Sequence, residues 1–137
     1  MGATTVRWVT GQQFVGTDST KHSVVISSSS EGVGMKPSEL VLVALSACTA
    51  VDVVDILVKK HTPLASLEIT ASGEQDPNPP WPYRKIHLLY KVSGKGLTEA
   101  SVSQAIQLSE EKYCSVAATL RGVAEITTSF EILPGED

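Results

Sequence analysis

Pro37-Ser38-Glu39-Leu40-Val41-Leu42-Val43-Ala44-Leu45-Ser46-Ala47-Cys48-Thr49-Ala50-Val51-Asp52-Val53-Val54-Asp55-Ile56-Leu57-Val58-Lys59-Lys60 contains no helix breaker after its opening proline. Proline suits the first helical position, and Glu39 two residues later completes a helix start. Glu39, Asp52 and Asp55 precede Lys59 and Lys60, an order that complements the helix dipole. One continuous helix of this length measures about 36 Å. Its middle, Leu40 to Val51, is free of charge on every face. A helix with one side on a sheet and the other in water does not tolerate that. The segment is therefore expected to be covered on both sides, which a small chain achieves with a second subunit. The charge-free run also includes Ser46, Cys48 and Thr49 and falls short of the ~20 apolar residues of a membrane span, so it belongs in a protein core.

Working outward, the flanks read as strands. Val6-Arg7-Trp8-Val9, Gln13-Phe14-Val15 and Ser23-Val24-Val25-Ile26 are short, rich in β-branched or aromatic residues and punctuated by Gly11 and Gly16. They predict a three-stranded meander, followed by a Ser/Gly loop from Ser27 to Lys36. After Pro63, Leu67, Ile69 and Ala71 alternate with Glu68 and Thr70, the period of a half-buried strand. Ile86 to Val92 is a second such run. The connector between them, Asp76-Pro77-Asn78-Pro79-Pro80-Trp81-Pro82, is stiffened by prolines and carries one large aromatic. Thr98 can cap a helix with Val102, Ala105, Ile106 and Leu108 on its apolar side, and Gly122 suits a stop after Leu120-Arg121; one helix or two can fill that interval. In the last strand Ala124, Ile126, Thr128, Phe130 and Ile132 face one way.

The chain has 137 residues, enough for one domain spanning 1–137. Its 42% hydrophobic and 19% charged residues match the ordinary globular mix. A net charge of -4 leaves no electrostatic footprint for phosphates, so nucleic-acid binding is not expected. The amino terminus, Met1-Gly2-Ala3-Thr4-Thr5-Val6-Arg7, lacks an apolar signal region and a myristoylation signal. A cytoplasmic protein without a membrane anchor is the expectation.

Two cysteines, Cys48 and Cys114, form no zinc-type spacing, and His22, His61 and His87 share no helical spacing, so neither metal nor cofactor is expected. A pair of cysteines in a reducing compartment is more often reactive than structural. Burial in an apolar stretch raises the pKa of Cys48 unless something nearby stabilises a thiolate. A helix starting near Ser115 would bring its amides to Cys114 and favour the thiolate there. The plain alternative is that both are small core residues. Asp52 and Asp55 read as a solvated or Lys-paired helix face.

Pro37-Ser38-Glu39-Leu40, Ala44 to Val54 around Cys48, and Glu111-Lys112-Tyr113-Cys114-Ser115-Val116 together resemble the OsmC/Ohr family of thiol peroxidases. The resemblance begins at Val6-Arg7-Trp8, with Gly11 and Phe14, and runs to the final strand; it is nearest to the OsmC-like branch. It implies an α+β, OsmC-like fold in which antiparallel sheets wrap a long central helix within an intertwined homodimer. It further implies that Cys48 attacks an organic hydroperoxide, that Cys114 resolves the resulting sulfenic acid as a disulfide, and that an external dithiol, lipoyl or thioredoxin-like, reduces that disulfide. Glu39 matches the family's acidic residue that holds a basic partner near the sulfur, although an acid there also stabilises a helix start by about 0.3 to 1 kcal/mol with no further role. The family's activating Arg belongs to the first hairpin turn, where this chain has Gly11-Gln12-Gln13. Arg7 and Arg84 are the candidate replacements. Trp81 and Tyr83 are candidates for an apolar substrate entrance or a packing anchor. Two other readings are a binding or scaffold protein that kept the fold with little peroxidase activity, and a thioester hydrolase.

Overall fold

A computed structural model describes residues 2–134. They divide into two compact units, one ending at Val41 and one beginning at Leu42.

The first unit is built on the predicted meander. Strands β1 (Thr5–Thr10), β2 (Gln13–Thr17) and β3 (Ser23–Ser27) lie in sequence order and pair antiparallel, with Trp8 opposite Phe14 and Phe14 opposite Ile26. Gly11 takes the left-handed φ of 51° that turns β1 into β2, and its carbonyl accepts the Trp8 indole N–H at 2.7 Å. Gln12 and Gln13 hold Glu31: the Gln12 amide and the Gln13 side chain donate to its carboxylate at 3.2 and 3.1 Å. The Ser/Gly loop then runs back along β3. The Met35 amide donates to the Val25 carbonyl at 2.9 Å and the Ser27 amide to the Met35 carbonyl at 3.1 Å. A Cβ on Gly34 would lie 2.7 Å from the Val25 carbonyl oxygen, so this close approach requires glycine.

Helix α1 covers Pro37–Lys59, one residue short of the predicted end. From Leu42 onward it belongs to the second unit, where Leu45, Thr49, Val53 and Leu57 recur every fourth residue and are fully buried. They pack on a sheet of β4 (Ser66–Gln75), β5 (Tyr83–Ser93) and β6 (Glu125–Ile132), with β5 in the centre. The central strand supplies Ile86, Leu88, Tyr90 and Val92 to the core, and the edge strands supply Leu67, Ile69, Ala71, Ile126 and Phe130. β4 and β5 are antiparallel as a short connector dictates, whereas β6 lies parallel to β5. The parallel pair requires a long crossover. Helix α2 (Glu99–Leu108), a π-helical turn (Ser109–Tyr113) and helix α3 (Ser115–Leu120) provide it.

The interval with two possible readings is therefore two helices separated by an irregular turn. Thr98 caps α2 through a reciprocal box with Ser101, its side chain accepting the Ser101 amide at 3.1 Å and its own amide donating to the Ser101 hydroxyl at 3.1 Å. By length and composition α1 could cross a membrane. Its buried row of Leu45, Thr49, Val53 and Leu57 instead makes it the core helix of the second unit.

Candidate functional site

Cys114 occupies the break between the π turn and α3. Its amide donates to the Ser109 carbonyl, five residues back, at 2.7 Å, which closes the π turn. Its φ of -80° and ψ of 104° leave the helix, and its sulfur accepts the Ala117 amide at 3.3 Å as the cap of α3. The side chain is only 2% exposed.

Cys48 is half-buried on α1 and meets the same place from the other side. Burial penalises its thiolate, but hydrogen bonds from the Cys114 thiol, the Val116 amide, and the Ser115 hydroxyl and amide outweigh that penalty. The Cys48 thiol is held below its ordinary value. Cys114 moves the other way: burial, then its interaction with Cys48, pushes it up to about 11 against the Ala117 and Val116 amides. The amide donation expected at Cys114 is present, with the Ala117 amide on its sulfur, but burial and the contact with Cys48 outweigh it. The first free amides of α3, Ser115 and Val116, are shared with the sulfur of α1, and Cys114 meets Cys48 as a thiol donor. Both cysteines are free, and the largest influences on Cys48 are burial and neutral hydrogen-bond donors.

A buried chain of polar groups lies directly after Cys48 on α1. The Tyr90 hydroxyl is 2.8 Å from Thr49 Oγ1, Thr49 Oγ1 is 3.0 Å from Ser109 Oγ, and Ser109 Oγ donates to Asp52 Oδ2 at 2.8 Å. Tyr90, Thr49 and Ser109 are all essentially inaccessible to solvent. Burial holds the Tyr90 phenol well above its ordinary value. Asp52 is thus half-exposed but engaged by Ser109, whereas Asp55 is exposed and in an ion pair with Lys59 at 3.0 Å, the Lys-paired face its spacing had implied. A carboxylate four residues after Cys48, on the same helical face, was the one sequence signal that could have revealed this chain.

Glu39 lies in the first unit, in the first turn of α1, and pairs with Lys36 at 3.4 Å. Arg84, a candidate replacement for the turn Arg, is held by Asp76 at 3.2 Å. Arg7 lines a shallow cavity of about 560 Å³ with Val15, Thr17 and Lys21 in the first unit. Trp81 is exposed, with a left-handed φ of 56°, and so does not anchor packing; Tyr83 is half-buried and packs against the core. The ring nitrogens of His87 engage Thr127 and Ser129 at 2.7 and 2.8 Å. Among the described residues, His, Cys, Asp and Glu form no cluster suited to a metal ion.

Residues 29–129, which include both cysteines, match the profile described as OsmC-like protein. The chain belongs to the OsmC-like family. It is 36% identical to Protein YhfA of Escherichia coli over 128 residues, covering 93% of this chain and 96% of YhfA. Among solved structures it is similar to a hypothetical protein from Aquifex aeolicus, with 29% identity, a TM-score of 0.90, and coverage of 99% of this chain and 98% of that one. The organic hydroperoxide resistance protein OhrB of Bacillus subtilis shares the fold at 15% identity and a TM-score of 0.64, over 96% of this chain and 98% of that one. The OsmC-like α+β architecture expected from the sequence is thus the observed one.

Proposed function

We propose that this OsmC-like protein is a dithiol peroxidase acting on organic hydroperoxides. The observation that carries the reading is that Cys48 on α1 and Cys114 at the start of α3 meet at one place, where neighbouring donors lower the Cys48 thiol and burial raises that of Cys114. A thiolate is the form that displaces the outer oxygen of a hydroperoxide. The Cys48 thiolate, ROOH and one proton give ROH and Cys48 sulfenic acid. Cys114 then attacks the sulfenic sulfur; its proton leaves with the hydroxide as water, and a Cys48–Cys114 disulfide remains. An external dithiol of lipoyl or thioredoxin-like type reduces that disulfide by exchange. The chemistry requires only sulfur and protons, with no metal or cofactor. A reducing cytoplasm suits a disulfide that must be opened every cycle.

The same reading makes the protein a homodimer. Val51, Val54 and Val58 form an exposed apolar strip on α1, with Val51 69% exposed, and apolar strips of this kind mark association surfaces. Glu39, with Lys36 as its basic partner, is assigned a supporting role at the site. The Gln12–Gln13–Glu31 arrangement favours one competing reading, a binding protein that kept the fold without strong peroxidase activity. Thiol titration before and after one equivalent of cumene hydroperoxide decides between them. The peroxidase reading expects both thiols to disappear with water and cumyl alcohol as products. Persistence of both thiols would overturn it.

A further inference from the structure

Ser109 is tied to both halves of the thiol pair. Its carbonyl accepts the Cys114 amide at 2.7 Å, and its hydroxyl reaches Thr49 and Asp52, one and four residues after Cys48 on α1. One residue therefore connects the helix bearing one sulfur to the backbone bearing the other.

Ser109 Oγ is the donor in both of its contacts, so its one proton lies between Thr49 Oγ1 and Asp52 Oδ2. A carboxylate only accepts, and a charged acceptor makes the stronger bond. In the contact between Thr49 and Tyr90 either hydroxyl can donate. Chains of this kind strengthen one another in a low-dielectric interior. Apolar residues would fill the same space without the cost of desolvating three hydroxyls and a carboxylate. The neighbouring acid gives the turn no comparable hold: Glu110 Oε1 is buried without a hydrogen-bond partner among the described residues.

We propose that the Ser109–Asp52 hydrogen bond is a latch that seats the π turn on α1 and thereby sets how readily Cys114 closes onto Cys48, making Ser109 and Asp52 positioning residues for the resolving step. The assignment to a resolving step rests on the dithiol peroxidase reading; the effect on ring closure does not. When the latch is released, the turn is free to move away from α1 and the sulfurs lose their fixed approach.

The test uses glutathione in place of peroxide. Glutathione disulfide and the reduced protein give the Cys48–Cys114 disulfide and two glutathione molecules, and the equilibrium constant measures how well the sulfurs are placed. Ser109→Ala and Asp52→Ala are expected to lower that constant at least tenfold. Asp52→Asn, which keeps an oxygen acceptor for Ser109, is expected to stay within threefold of wild type. A purely structural contribution would appear in thermal stability without this rescue of the constant. Asp52 is half-exposed, so Asp52→Ala carries the test if Ser109→Ala does not fold. Constants within twofold of wild type in the alanine variants, or a wild-type protein that forms no intramolecular disulfide, would overturn the latch. A normal wild-type constant and a tenfold loss in the variants, in a protein that consumes no hydroperoxide, would keep the latch and overturn the peroxidase reading. Peroxide consumption with unchanged constants would do the reverse.

Discussion

The α1 segment around Cys48 and the turn around Cys114 present the same functional group shifted in opposite directions. Cys48 lies within a long regular helix in the most apolar stretch of the chain, where isolation alone would leave an inert thiol. Cys114 lies at a helix start, where isolation alone would suggest a reactive one. Contact between the two segments reverses both expectations. The α3 amides and the Cys114 thiol converge on Cys48, and the buried Cys114 is left as a proton donor with its own value raised to about 11. Thiol reactivity here belongs to the junction of two elements and not to either one.

The strongest test of that contrast removes one sulfur at a time. Cys48→Ser is expected to abolish hydroperoxide consumption, followed by the loss of peroxide in a coupled or colorimetric assay. Full activity in this variant would mean the two roles had been misassigned. Cys114→Ser is expected to permit one turnover and then stop, leaving a Cys48 sulfenic acid that dimedone labels and mass spectrometry detects.

A smaller effect concerns the pH at which each thiol reacts. In the reduced wild-type protein, iodoacetamide should alkylate Cys48 with a midpoint below that of an ordinary thiol, and Cys114 only toward pH 11. The direction follows from the thiolate being the reactive form: a lowered value populates it at lower pH, and a raised value delays it. Ser115→Ala deletes the hydroxyl donor while the Ser115 and Val116 amides remain. The Cys48 midpoint should rise, by about one to two pH units at most, since one unit corresponds to about 1.4 kcal/mol and a hydrogen bond to a charged group is worth about 1.5 to 3. An unchanged midpoint would remove Ser115 from the account.

The smallest expected effect is at Arg84, which the sequence offered as a relocated activating cation. With Asp76 holding its side chain and neutral donors as the largest stabilising influences on Cys48, Arg84→Ala should change the rate of Cys48 oxidation less than threefold. A loss of tenfold or more, about 1.4 kcal/mol of barrier, would restore a cation to the activation step.

Much of the fold was legible because it rests on local chemistry. The proline and glutamate that open α1, the two-residue alternation of β4 and β6, the Thr98 cap and the Gly11 turn each act within a few residues of sequence. The parallel placement of β6 beside β5 was not legible, since alternation gives a strand its faces but not its neighbour or direction. The candidate site divides in the same way. Both cysteines stood out through motifs that resemble one family. Ser109, Thr49, Asp52 and Tyr90 read as two ordinary hydroxyls, a surface acid and a strand aromatic.

What the sequence determined by itself was the set of elements and the two sulfurs, because periodicity, caps and motif spacing are properties of neighbouring residues. Which thiol is lowered and which raised, and that a serine five residues before Cys114 meets a carboxylate four residues after Cys48, were decided only by tertiary structure. The physical reason is that desolvation and hydrogen bonding act through space. A thiolate is stabilised by whichever amides reach it, and those of α3 reach a helix more than sixty residues earlier in the chain.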